Sequence, residues 1–292
     1  MAPSRTGCTL TGSTSPSPAT GQSVERAPGE VSGRDAGAVT PLLSVQGLRK
    51  VFTGRGRQVE AIRDLTFDVP KGQLVCIVGP SGAGKTTLLR CVAGLLTPTS
   101  GQVVLEGDPV DGPPAGMAVV FQEYGRSLFP WMTVRQNIEL PLKEKRLPRA
   151  RREALVRDAL RAVGLHDTHA AYPWQLSGGM QQRVAIARAM AYEPHLLLMD
   201  EPFAAVDAQT RADLEDLTRS LWHSLGVTVV FVTHDIDEAV YLGQRVLVLS
   251  PSPTVVARDV LIDLPDERDQ LSTRSSTRFG ELRAMVYEQI HR

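Results

Sequence analysis

The sequence lacks any apolar segment long enough to cross a bilayer, because no run of about 18 apolar residues occurs in it. It also lacks an excess of charge of either sign, with 32 Lys and Arg residues against 32 Asp and Glu residues. A balanced charge gives no reason to expect the strongly basic face with which proteins bind nucleic acids. The composition therefore predicts a globular protein that does not span a membrane and does not bind nucleic acid.

Cysteine is scarce, with three residues in a chain of 292. Cys76 falls in a predicted strand and Cys91 in the helix after it, so both are predicted to be buried thiols in a reducing compartment. No apolar stretch precedes Cys8, which excludes a lipoprotein acceptor. Residues 1–40 are rich in Gly, Pro, Ser, Thr and Ala without apolar periodicity, and this predicts a disordered tail.

A glycine-rich segment at residues 79–87 lies between an apolar run and a helical pattern. Glycine lets the backbone N–H groups converge on a phosphate, the helix that follows contributes the positive end of its dipole, and Lys85 contributes a full charge. The Thr86 hydroxyl is then the expected ligand of Mg²⁺. The sequence thus predicts a nucleoside triphosphate site. The residues expected to bind the phosphates are Gly79, Pro80, Ser81, Gly82, Ala83, Gly84, Lys85, Thr86 and Thr87.

A second phosphate-binding signal begins at Ser177, which precedes Gly178, Gly179 and another helical pattern. Ser177 is placed to cap that helix, and the two glycines leave its first N–H groups accessible. Two separate sites in one chain cannot both hold one γ-phosphate if they lie far apart. We therefore expect two chains, each presenting this helix to the nucleotide that the other chain binds.

Two carboxylates follow a short apolar run at residues 196–199, which predicts a strand buried on both faces of a parallel sheet. Sites in α/β proteins lie at the carboxyl ends of such strands, where Asp200 and Glu201 fall. Successive strand residues point in opposite directions. Asp200 is therefore expected on the metal side, and Glu201 is expected to be the general base for the attacking water.

These motifs together resemble the ATP-binding subunit of ABC transporters. The segment from Leu176 to Gly179 matches the first four positions of the family's Leu-Ser-Gly-Gly-Gln signature, with Met180 in place of the glutamine. We interpret that change as tolerated variation, since Gln181 follows. Further matches occur in the family's order and extend the resemblance over about residues 42–250, and they are Gln122, Asp200 with Glu201, residues 205–207 and His234.

The resemblance implies an α/β fold, namely an ABC-type nucleotide-binding domain. This domain has a RecA-like core of mainly parallel sheet, an antiparallel β subdomain and a helical subdomain. We expect the ATPase domain at residues 41–250 with the helical subdomain at about 123–178, and a short C-terminal extension at 251–292. It also implies ATP and Mg²⁺ as cofactors, and an ATP-hydrolysing motor subunit.

Three further roles rest on the resemblance. His234 is implied to reach the γ-phosphate, and Gln122 to join the Mg²⁺ shell or the attacking water. Phe52 is implied to stack on adenine, where the family more often has tyrosine. Without the family, Gln122 would be an ordinary residue at a strand end, and Phe52 could equally belong to the core.

The segment 125–132 is apolar although it is predicted to be a loop, with Leu128, Phe129 and Trp131 close together. Either it is covered by the chain itself, or it forms a groove for a short helix of a membrane subunit. Its sequence and the short C-terminus are similar to the importer branch for nitrate, sulfonates and taurine. The implied partners are a second copy of the chain with ATP bound, a membrane permease and, indirectly, an extracytoplasmic solute-binding protein, which places the chain at the cytoplasmic face of the membrane.

Two alternatives stay open at this point. A soluble ABC ATPase of DNA repair would carry a very long coiled coil between the two phosphate-binding motifs, and a translation factor would carry two cassettes, and neither feature occurs here. An exporter motor is a nearer alternative, and it is disfavoured by the importer-like segment after Gln122.

Overall fold

Ten strands form one twisted sheet in the order β5-β4-β1-β2-β10-β9-β3-β8-β7-β6. The structure is a computed structural model and describes residues 40–54, 56–122 and 124–290, with only the backbone for Tyr124 and Arg126. The strands are β1 Leu43–Gly54, β2 Arg57–Val69, β3 Leu74–Val78, β4 Ser100–Leu105, β5 Asp108–Pro109, β6 Met117–Val120, β7 Leu196–Asp200, β8 Thr228–Val232, β9 Arg245–Leu249 and β10 Thr254–Leu261.

The sheet has a parallel half and an antiparallel half. Strands β9, β3, β8, β7 and β6 run parallel, whereas β2, β1, β4 and β5 pair antiparallel. Strands β1 and β2 form a hairpin, since Gly54 pairs with Arg57, and Arg55 between them lies outside the described residues. The predicted α/β fold with two kinds of sheet is therefore confirmed.

Helices cover the parallel half and fill the segment between β6 and β7. They are α1 Lys85–Val92, α2 Tyr124–Ser127, α3 Val134–Glu139, α4 Arg149–Ala162, α5 Gly178–Ala191, α6 Ala208–Leu225, α7 Ile236–Leu242 and α8 Thr277–Ile290, with 3-10 turns at Leu140–Lys143, His166–Thr168 and Pro173–Gln175. Within the described ranges, no helix has the length and apolarity that crossing a membrane requires.

The core is divided by the parallel strands, because alternate residues of a strand point to opposite faces. On β3, Leu74, Cys76 and Val78 pack into one cluster with α4 to α8, while Val75 and Ile77 pack into the other with α1 and the antiparallel strands. The predicted burial of the thiols is confirmed: burial raises the pKa of Cys76, and that of Cys91 to about 11. Cys8 lies outside the described residues.

Two expectations about segment limits differ from the observed elements. Residues 124–127 of the predicted loop form one helical turn, α2. Strand β10 lies beyond residue 250 and pairs with both β9 and β2, so the sheet continues past the end that we expect for the ATPase domain. The remaining subdomain limits stay a proposal, and all of the predicted tail except residue 40 lies outside the described residues.

Candidate functional site

The carboxyl ends of β3, β7 and β8 bring the predicted catalytic residues to one edge of the parallel sheet. Every residue of these three strands is buried, as expected for strands covered on both faces. Parallel pairing in register forces their ends together, so the chain turns out of the sheet at Gly79, Glu201 and Thr233 within one region. Strand β6 ends beside them and leads to Gln122.

The phosphate loop from Gly79 to α1 is closed by glycines with left-handed backbone angles. Gly82 has φ of 80° and Gly84, which precedes α1, has φ of 68°, a region that side chains disfavour. Lys85 is 6% exposed, and its Nζ donates to the carbonyl oxygens of Gly79 at 2.9 Å and Pro80 at 3.1 Å. The ammonium group is thus held within the loop.

A carboxylate and a hydroxyl meet behind the phosphate loop. Thr86 Oγ1 donates to Asp200 Oδ1 at 3.5 Å, and Asp200 is 5% exposed. Burial raises the pKa of Asp200, which a bound cation would offset. Two hard oxygen donors beside a phosphate loop suit Mg²⁺, which takes few protein ligands and completes its shell with water and phosphate. The described part of the chain holds no cluster of three or more His, Cys, Asp or Glu side chains able to bind a metal ion.

Glu201 contacts Lys85 and His234. Its Oε1 lies 3.7 Å from Lys85 Nζ, and its Oε2 lies 2.9 Å from His234 Nδ1. Because a carboxylate can only accept, Nδ1 of His234 is the donor in the second contact. Glu201 also has φ of 42°, an uncommon angle for a residue with a side chain, and such strain occurs mainly at functional sites.

Most of the predicted site residues line one cleft of about 810 Å³. Its walls include the whole phosphate loop, Gln122, Glu201 and His234. Phe52 on β1 is exposed outside these walls, with Lys50 Nζ 5.3 Å from its ring centre. Sequence reasoning missed three apolar wall residues, which are Ala61, Ile236 and Ile290. No sequence signal marks them, because they come from β2, α7 and α8, which meet only in the folded chain.

The second phosphate-binding signal lies outside this cleft. Ser177 caps α5 as predicted, since its side chain accepts from the N–H of Met180 at 3.3 Å. A Cβ at Gly179 would lie 2.4 Å from Thr210 Cγ2 of α6, so glycine permits the close packing of these two helices. None of Ser177, Gly178 and Gly179 lines the cleft of their own chain.

Comparisons with known proteins agree with this arrangement. Residues 62–204 match the protein family described as ABC transporter. A nitrate import ATP-binding protein of Synechocystis sp. is 45% identical over 80% of this chain and 87% of its own length. A taurine import ATP-binding protein of Rhizobium johnstonii is 42% identical over 86% and 97%, respectively. A dimeric ATP-binding cassette solved in a post-hydrolysis state with ADP and phosphate has a TM-score of 0.68 and 31% identity, covering 76% of this chain and all of its own.

Proposed function

Because the chain belongs to the ABC transporter ATP-binding family, we propose that two copies of it hydrolyse ATP at shared sites and drive uptake of a small anionic solute through a separate permease. ATP binding and hydrolysis follow from the family itself. The shared sites, the residue roles, the Mg²⁺ ion, the solute and the permease are the proposal. It rests above all on one observation, that the N-terminus of α5 lies outside the cleft of its own chain.

The proposed chemistry divides the cleft into a binding part and a reacting part. The phosphate loop binds the triphosphate, with Lys85 between the β- and γ-phosphates, and Phe52 stacks on the adenine. Thr86, Gln122 and Asp200 would hold Mg²⁺, and the ion would supply positive charge against the phosphate oxygens. These roles suit the donor types and the positions of the side chains.

Hydrolysis itself is assigned to the pair at the strand ends. Glu201 takes a proton from the attacking water, and its contact with His234 holds the carboxylate in place. His234 acts at the γ-phosphate through its other ring nitrogen, Nε2, which must carry a proton to donate to a phosphate oxygen. The N-terminus of α5 of the other copy would close the site with the Ser177 hydroxyl and the N–H groups that follow it.

The solute is proposed from the relatives. Their names specify import of nitrate and of taurine, two compounds that carry a negatively charged group of oxygen atoms. A motor subunit at the cytoplasmic face does not select the solute by its own cleft. Whether nitrate or taurine is imported would therefore depend on the permease and on the solute-binding protein.

Exposed aromatic side chains between β6 and α5 support a permease contact. Trp131 is 70% exposed and pairs with Phe129 at a ring separation of 5.4 Å, and Trp174 is equally exposed and stacks with Tyr172 at 6.0 Å. Backbone bonds join the two segments, since the N–H of Val134 donates to Ala171 O at 2.8 Å. Leu128 is the exception and corrects our expectation: it is 2% exposed and belongs to the core, so it does not line a groove.

A complementation experiment tests the shared site. Ser177→Arg places a bulky cation at the start of α5, and Glu201→Gln removes the base, so each variant alone should bind ATP without turnover. A mixed dimer would retain one intact site, formed by Glu201 of one copy and Ser177 of the other. We therefore expect mixing to restore ATPase activity that neither variant has.

The control mixes Ser177→Arg with the double variant, which leaves no intact site and should stay inactive. If mixed dimers form, as shown by differently tagged copies that co-purify, and still show no activity, the shared-site proposal is wrong.

A further inference from the structure

A buried carboxyl group lies behind the Glu201–His234 pair and has no part in the proposed chemistry. Glu238, in the first turn of α7, is 4% exposed. It lines a cavity of about 10 Å³ together with Glu201 and His234. A buried carboxyl group needs hydrogen-bond partners or must stay neutral, because an isolated charge in the interior is very costly.

Thr233 connects this carboxyl group to the catalytic histidine. The Thr233 side chain lies beside Glu238 at the same cavity, and its Oγ1 accepts from the N–H of Asp235 at 3.0 Å. The N–H of Thr233 donates to Ile77 O on β3 at 3.1 Å. The chain is therefore fixed on both sides of His234, whose own side chain is largely exposed.

Asp235 completes the turn on the other side of His234. Its Oδ1 accepts from the N–H groups of Asp237 at 2.9 Å and Glu238 at 3.2 Å, which caps α7. Its Oδ2 lies 3.5 Å from Arg211 Nη1 on α6. The start of α7 is thus held by a polar network that ends at Glu238.

The charges around Glu238 favour its protonated form at neutral pH. Burial raises its pKa to about 8, aided by the negative charges of Glu215 and Asp235 and opposed by the bond to Thr233 and by Arg211. The Cys76 thiol faces it from β3 and stays neutral, since burial raises its pKa well above the usual range. On the α8 side, Arg283 pairs with Asp237, 2.6 Å from its Oδ1.

We propose that Glu238 is a positioning residue for ATP hydrolysis, which acts through Thr233 to hold His234 against Glu201. The inference rests on the roles proposed for those two residues. The neutral carboxyl group satisfies Thr233 without adding charge beside Asp235. The ionised group would still interact with Thr233, but it would be repelled by Asp235 and Glu215 and would compete with Asp235 for Arg211, which loosens the start of α7 next to His234.

A residue that only positions His234 should affect the turnover of ATP and not its binding. Glu238 does not line the nucleotide cleft, so its loss should lower kcat and leave the KM for ATP unchanged. In the wild-type chain, kcat should fall as the pH rises through about 8, where the carboxyl group ionises.

Two substitutions of Glu238 and one control test the inference on the full chain. Glu238→Gln keeps a neutral group that can bond Thr233, so it should retain kcat at pH 7 and lose the alkaline fall. Glu238→Ala removes the contact, so kcat should drop about 10-fold or more, as small misplacements of catalytic groups do. Glu215→Gln changes another buried carboxyl group, one that bonds Arg274 at 2.6 Å and does not line the cavity. It should keep the alkaline fall and move its midpoint to lower pH, because the negative charge of Glu215 raises the pKa of Glu238.

The measurements are steady-state ATPase rates from pH 6.5 to 9.5, ATP affinity and melting temperature. The inference is wrong if Glu238→Ala keeps the wild-type kcat, if Glu238→Gln keeps the alkaline fall, or if the fall is absent from the wild type. It is also wrong if Glu238→Gln loses activity only in step with its melting temperature. Glu201→Gln, run alongside, separates the two proposals: its activity would overturn the role of Glu201, whereas an inactive Glu201→Gln beside a normal Glu238→Ala would overturn only the role of Glu238.

Discussion

The ends of the parallel strands differ from the segment between β6 and α5 in whether their large or charged side chains have partners within the chain. At the strand ends, the Lys85 ammonium group bonds two carbonyl oxygens, and Glu201 contacts both Lys85 and His234. Between β6 and α5, Trp131 and Trp174 stay largely exposed. The comparison teaches that the groups proposed for catalysis contact one another within one chain, whereas the segment between β6 and α5 leaves large aromatic side chains exposed.

Local packing explains this difference. The strand ends are fixed by parallel pairing on both sides. Lys85 and Glu201 are largely buried there, where an unpaired charge is costly. The aromatic pairs project from short helices and turns at the surface. Exposed aromatic clusters of this kind mark interaction sites when a partner covers them.

The largest expected effect tests whether the strand ends hold the chemistry. Glu201→Gln should reduce ATP hydrolysis by at least about 10²-fold, the scale of a lost general base, since glutamine cannot take a proton from water. Binding of a fluorescent ATP analogue should persist, because the phosphate loop is untouched. A near-normal hydrolysis rate in the purified variant would assign the base to another residue.

The next effect tests which side chains of the segment between β6 and α5 are buried in the core and which are exposed. Leu128→Ala should lower the free energy of unfolding by about 2–5 kcal/mol, because it leaves a cavity in the core. Trp131→Ala, three residues further along, should change that free energy by less than about 0.5 kcal/mol, since the side chain is exposed. Urea denaturation of the two variants makes the comparison direct.

Trp131→Ala should instead act on the permease. If the indole is an interface hot spot, its loss costs about 2 kcal/mol or more of binding, so co-purification with the permease should drop while basal ATPase activity stays. A large fall in melting temperature would show that Trp131 is internal, and would remove this residue from the proposed docking surface.

The smallest effect concerns the helix start that follows Trp131. Thr133 caps α3, since its Oγ1 accepts from the N–H of Gln136 at 3.3 Å and the Gln136 side chain accepts from the Thr133 N–H at 2.8 Å. Thr133→Ala should cost about 1 kcal/mol of stability, whereas Thr133→Ser should keep the cap. Equal stability of both variants would mean that α3 is held by packing alone.

Much of the site could be predicted because its signals are local. The glycines of the phosphate loop, the apolar strands before Asp200 and His234, and the cap at Ser177 each depend on a few neighbouring residues. Burial of Leu128 beside an exposed Trp131 could not be predicted, because both belong to one apolar stretch and only the packing of α5 and its neighbours decides which is covered. The surroundings of Glu238 are hidden for the same reason, since Arg211 and Glu215 come from α6.

The sequence by itself determined the family, the phosphate loop and the order of the strands that carry Asp200, Glu201 and His234, because short motifs and apolar runs specify backbone conformation locally. Only the tertiary structure decided that Glu201 bridges Lys85 and His234, that Ile290 of the last helix reaches the nucleotide cleft, and that the start of α5 stays outside it. These facts join residues far apart in the chain. Distances between them depend on how whole elements pack, which no local pattern encodes.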